Sequence, residues 1–228
     1  MSTPSVLDEL VKSLGTQASR LIISSEMEAT GPTDPRDDFV RKQLRRTAEL
    51  VSGAAVLGAA ANPGCLGVLS RCLLEQLITV LWGIRSIENA ESQSSAGTAQ
   101  LAKAFKLNLE AGTMQVFDRS TGEDVTARYL EQERPKRRSP PSIQQQAKEA
   151  DVADLYTAVY RFLSLETHGH SESPSEKSEI ADLCGIHLQG IGAVSSAIGQ
   201  GGVWWLVNRH WPDNESLREV LGLNQKNQ

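Results

Sequence analysis

Arg161, Ser164 and His168 are the residues of this chain whose types and spacing could do chemistry. On an α-helix, turning about 100° per residue, they continue a stripe begun by Asp154 and Thr157 in steps of three or four residues. Arg161 and His168 stand seven residues apart, close to two turns, so both could reach one ligand. Cleaving RNA without a metal needs a base for the 2′-OH proton, an acid for the leaving 5′-oxygen and a cation for the charge on the phosphorane. An imidazole exchanges protons near neutral pH. A guanidinium is planar and permanently charged, which suits phosphate oxygens. Ser164, one turn from each, could hold a phosphate oxygen or orient His168. One helix supplies one arginine and one histidine; two helices across a dimer two-fold would supply an acid and a base together. The same spacing also admits a structural account, with Arg161 paired to Asp154 or Glu166 and His168 at the negative end of the helix dipole.

A second chemistry lies in His168-Gly-His170, which with Glu166, Glu172 or His187 could offer imidazole and carboxylate ligands to a metal. A His-x-His pair is no signature by itself. The expectation is no bound metal and no cofactor, with His170 in a loop. A P-loop, a dinucleotide glycine fingerprint, a Gly-x-Ser-x-Gly elbow and zinc-finger spacing are all missing from the sequence.

The elements that must position these residues read as helices. Val6, Leu10, Leu14, Ala18, Leu21 and Ile22 define a first helix over 5–28, with Gly15 as a weak point. Thr30-Gly-Pro-Thr-Asp-Pro35 is a loop, and Asp34-Pro35 suits a helix start. A second helix over 36–60 is charged in its first half and rich in small residues in its second. Asn62-Pro63-Gly64 ends it. A third, strongly amphipathic helix over 65–91 carries Arg71 and Glu75 at i,i+4, either as a surface pair or as support for the helix bearing Arg161. Ser92 to Thr98 reads as a polar loop before a helix over 99–110. Residues 112–142 read as an insertion, irregular or folded as a hairpin about Gly122. Arg134, Lys136, Arg137 and Arg138 within it are a flexible connector or a phosphate-contacting patch. Ser142 caps a short helix, and a further helix over 151–169 presents Leu155, Val159 and Phe162 on its apolar face. The last, over 178–209, is apolar and glycine-rich; Gly199-Gln-Gly-Gly202 is expected to break or kink it. Residues 224–228 read as a frayed tail. The whole reads as one all-α domain over 1–228, a bundle of about five main helices.

Composition bounds the partners. A net charge of −5 gives no global attraction to nucleic acid or anionic membrane, so RNA contact would be local. Asp182, His187, Gln189 and Gln200 argue against a membrane span in the last helix. Three cysteines with no Cys-x-x-Cys pair point to reduced thiols, with Cys65 and Cys72 buried in a helix, and to a cytoplasmic protein. The N-terminus has no basic segment followed by an apolar run, so no signal peptide is expected.

The segment Asp154-Leu-Tyr-x3-Tyr160-Arg161-x2-Ser164-x3-His168-Gly, with Arg71-x2-Leu-Glu75 upstream, resembles a bacterial helical family, domain of unknown function 5677. That family is similar to the HEPN superfamily of helical bundles. The resemblance covers roughly residues 40–210. It implies a HEPN-like bundle, a homodimer and a metal-independent endoribonuclease in phage defence or toxin–antitoxin growth arrest, with a neutralising protein as a further partner. The Arg-x4–6-His motif of that superfamily falls on Arg161 and His168, which the resemblance implies as the catalytic pair; Arg71, Glu75, Tyr160 and His170 are supporting candidates whose roles it does not assign. Phe162 departs from the pattern, since active members usually place a polar residue after the arginine. Several branches are non-catalytic, so the alternative is a helical dimerisation or interaction module whose polar stripe is a structural network. A histidine-dependent metal hydrolase ranks third.

Overall fold

A computed structural model describes residues 5–131, 139–160, 163 and 176–215. Helices dominate them: α1 (Val6–Ser25), α2 (Pro35–Ala59), α3 (Pro63–Gly83), α4 (Ile87–Glu110), α5 (Thr126–Glu131), α6 (Ile143–Glu149), α7 (Ala153–Leu155) and α8 (Lys177–His210). A single π turn, Tyr156–Tyr160, follows α7 directly. Among the described residues the fold is all-α, and its one β feature is an isolated antiparallel bridge, Phe117 with Asp124.

Local chemistry sets most boundaries. The hydroxyl of Ser5 and the carboxylate of Asp34 each form a capping box at the start of α1 and α2, and Pro35 holds the first position of α2. Ala61 takes a positive φ of 50° at the end of α2, and the Asn62 amide donates back to the Leu57 carbonyl. The Asn62 side chain then accepts from the Cys65 amide, so one residue closes α2 and opens α3.

The helix expected over 65–91 is two helices. α3 stops at Gly83, and Ser86 caps α4 by accepting from the Asn89 amide at 3.1 Å. Ser92 to Thr98, expected as a loop, lies inside α4. Packing overrides the weak helix preference of its serines: Ser92 is buried with Ala90 and Ala96, and the Ser95 hydroxyl is satisfied by donating to the Ser92 carbonyl. In the insertion the hairpin reading holds: Gly122 has φ 73° in the turn, and Asp118 and Glu123 pair across it. The Ser120 hydroxyl and the amides of Thr121 and Ser120 bind the Asp118 carboxylate and hold its pKa down to about 2.

The core forms where α1, α2, α3 and α8 meet, around Phe39, Leu44, Leu66, Leu73, Ile78, Leu188, Ile191, Ile198 and Leu206. α8 runs unbroken through the Gly199–Gly202 stretch expected to interrupt it. Packing explains why: a Cβ at Gly199 would stand 3.0 Å from Leu21, and one at Gly202 would stand 3.0 Å from Leu44. These glycines let α1 and α2 approach closely, and burial of Ile198 and Leu206 offsets their helix cost of about 0.5–1 kcal/mol each.

All three cysteines are free. Cys184 is buried and Cys72 half-buried, but Cys65 is exposed rather than buried, because it sits in the first turn of α3. Among the described residues one helix, α3, is long and apolar enough to cross a membrane, with a mean hydropathy of 1.5. It packs against α2, α4, α6 and α8.

Candidate functional site

The path to the site begins at the end of α6. Asp151 closes that helix in the left-handed region, φ 58°, and the Val152 amide donates to the Ala147 carbonyl. The side chain of Asp151 reaches back to Arg85 at 2.8 Å. Asp151 therefore ends α6 instead of opening the next helix, which starts at Ala153. After one short turn the backbone opens into the π turn.

That turn changes which side chains face α3. The regular α-helix expected from 151 would bury Val159 beside Leu155. Instead Val159 is exposed, while Tyr160 is buried and Leu155 and Tyr156 pack partly against the core. Asp154 and Thr157, the first members of the polar stripe, are solvent-facing, and Thr157 donates to the Ala153 carbonyl.

Tyr160 meets Arg71 and Glu75 on α3. Its hydroxyl accepts from Arg71 Nη2 at 2.8 Å and donates to Glu75 Oε1 at 2.7 Å. The Arg71 guanidinium lies 5.0 Å from the centre of the Tyr160 ring, and Tyr156 stacks on Tyr160 at 4.7 Å. Arg71 Nε is 3.3 Å from Glu75 Oε1, within ion-pair range but misaligned for a hydrogen bond. The i,i+4 pair is thus not an isolated surface pair: its two side chains, 20% and 40% exposed, converge on one phenol from the neighbouring element.

Electrostatics follow the geometry. The bond to Tyr160 is the main reason the Arg71 pKa is raised. The Tyr160 hydroxyl also titrates above the ordinary tyrosine range; burial is the main cause, Glu75 adds to it and Arg71 opposes it. An unfolded tyrosine ionises near pH 10. The folded chain keeps the proton longer, so this contribution to stability is full below about pH 10 and is lost as pH rises through the folded value. Urea midpoints should fall more steeply above about pH 10 in the native chain than in Tyr160→Phe. Parallel curves would contradict the assignment.

Of the residues singled out in the sequence, the structure brings Arg71, Glu75 and Tyr160 together. Arg161, Phe162, Ser164, His168 and His170 lie outside the described residues, as do Arg134, Lys136, Arg137 and Arg138. His187 is buried, with Nδ1 3.4 Å from the Ser70 hydroxyl. Among the described residues no three histidine, cysteine or acidic side chains converge as a metal site would require.

Sequence reading missed a second polar cluster, where α2 begins and α8 ends. Asp37 is fully buried. Its Oδ1 lies 2.6 Å from His210 Nε2, and its Oδ2 accepts from Arg209 Nε at 3.2 Å and from the Asp34 amide at 2.7 Å. Arg209 Nη2 and Arg36 Nη2 both reach Asp34 Oδ2, at 2.7 and 2.8 Å, and both guanidinium groups lie over the Trp205 ring. Arg36 holds the Asp34 carboxyl below its ordinary pKa. Asp34-Pro35 is legible as a helix start, but the Asp37 partners Arg209 and His210 lie more than 170 residues away, where no local pattern links them.

A cleft of about 940 Å³ opens beside this cluster, between α2 and α4. Asp34, Asp38, Glu88 and Glu91 line it against one lysine, Lys42, so its charge opposes a phosphate backbone.

The fold and cluster define an all-α protein in which α3 holds the π turn through a tyrosine clamp. The chain belongs to the family of unknown function DUF5677, which matches residues 38–178. No curated protein and no solved structure matches it significantly.

Proposed function

We propose that the protein is a HEPN-like, metal-independent endoribonuclease. The observation that carries this reading is the clamp on Tyr160: α3 commits an arginine and a glutamate to fixing the residue immediately before Arg161. In the proposed reaction His168 takes the 2′-OH proton, the 2′-oxygen attacks phosphorus and the bond to the 5′-oxygen breaks. A protonated His168 of a second subunit supplies the leaving-group proton. The products are a 2′,3′-cyclic phosphate and a 5′-hydroxyl. Arg161 stabilises charge on the phosphorane, Ser164 assists by holding a phosphate oxygen, and His170 has a supporting role. Arg134, Lys136, Arg137 and Arg138 guide the RNA backbone. The proposed setting is cytoplasmic, in phage defence or growth arrest, with a homodimer as the working unit and a neutralising protein as a further partner.

A second reading has its own support. The Arg71–Tyr160–Glu75 cluster can be understood as helix docking alone, and Phe162 follows the arginine where active relatives of the proposed type carry a polar residue. On that reading the protein is a non-catalytic dimerisation or interaction module.

Incubating EDTA-treated protein with a mixed-sequence oligoribonucleotide, and with its 2′-deoxy analogue, separates the two. The ribonuclease cleaves the first and leaves the second intact, because the nucleophile is the 2′-OH. Cleavage of neither favours the interaction module.

A further inference from the structure

We infer that Tyr160 is a positioning residue for the proposed cleavage, with its hydroxyl locking the π turn from which the chain passes to Arg161. The inference rests on the ribonuclease reading. A π turn is a rare one-residue insertion in a helix, found mostly as a single turn and often beside functional sites. Here its last residue is held from three directions. Arg71 donates to the phenol oxygen at 2.8 Å, Glu75 accepts its proton at 2.7 Å, and Tyr156 stacks against the ring at 4.7 Å. A tyrosine serving only to fill the core needs its ring buried and one hydrogen bond at the edge. Tyr160 has a donor and an acceptor on the same helix face, one turn apart, which fixes the position and the orientation of its hydroxyl together.

Phosphoryl transfer of the proposed kind depends on placing a cation against the phosphorane, and a misplacement of about 1 Å can cost a hundredfold in rate. Arg161 is bonded to the clamped residue. The clamp therefore fixes the residue to which that cation is joined without itself touching RNA, which is why Tyr160 is a positioning and not a catalytic residue.

Tyr160→Phe tests this, because it keeps the ring and removes both hydrogen bonds. Initial rates on the mixed-sequence oligoribonucleotide should be read at a temperature where circular dichroism finds native and variant protein equally folded. The expected result is a fall in kcat of about ten- to a hundredfold with KM and the pH profile unchanged. Glu75→Gln, which keeps an acceptor of the same shape, should retain most of the activity, whereas Glu75→Ala should resemble Tyr160→Phe. If Tyr160→Phe does not fold, the Glu75 pair carries the test. Equal kcat for the native chain and folded Tyr160→Phe, or for both Glu75 variants, overturns the inference and leaves the ribonuclease reading standing. No cleavage by the native protein overturns both.

Discussion

Replacing His168 by alanine is expected to lower EDTA-resistant RNA cleavage by about a hundred- to ten-thousandfold, the range over which a positioned acid–base group accelerates proton transfer. The thermal unfolding midpoint should stay where it is. The two measurements belong together, since the competing readings move them in opposite ways. On the ribonuclease reading the imidazole works on substrate, so its removal stops the reaction and spares the fold. On the interaction-module reading it belongs to a polar network, and its loss leaves a buried partner unpaired at a cost of about 1–3 kcal/mol. Cleavage by His168→Ala at the native rate would sink the catalytic assignment.

The second large effect concerns stability. Asp37→Ala should destabilise the fold by about 3–5 kcal/mol, the usual result of removing one member of a buried ionic cluster. The carboxylate is fully buried and is bonded to His210, to Arg209 and to the Asp34 amide, so alanine removes a helix cap and leaves the inter-helix partners uncompensated. Urea denaturation provides the check: the midpoint should fall with the slope unchanged. A change below about 1 kcal/mol, the range of a solvent-screened pair, would mean that the cluster is not desolvated. Replacing Asp37 and His210 together by apolar residues should cost less than Asp37→Ala alone, because the buried imidazole is then not left without its partner and Arg209 keeps Asp34.

The sequence disclosed features whose cause is local. Asp34-Pro35 at the start of α2, Ser142 at the start of α6 and Gly122 in the hairpin turn could be read because a cap or a positive φ depends on neighbours within a few residues. Where two local rules competed, reading failed. The serines of 92–98 suggest a loop, yet a side chain as small as Ser92 also fits a buried helix face beside Ala90 and Ala96. Gly199 to Gly202 suggested a break because their purpose, contact with Leu21 and Leu44, lies in other helices. The candidate site divides in the same way. The i,i+4 spacing of Arg71 and Glu75 is legible in the sequence and admits a supporting role for the Arg161 segment. Their meeting point on Tyr160 depends on a π turn, which leaves no mark in hydrophobic periodicity.

That turn has a consequence for how such chains diverge. A π turn is in effect a single-residue insertion absorbed by a helix. Deleting one residue between Tyr156 and Tyr160 would let the segment relax to ordinary helix with the tyrosine still facing α3, because the wider turn is what takes up the extra residue. A relative with the same motif letters but one residue fewer upstream would therefore keep the facing of its tyrosine and lose the π turn. Aligning by motif alone would hide the difference, whereas counting the residues between Asp151 and Tyr160 would reveal it.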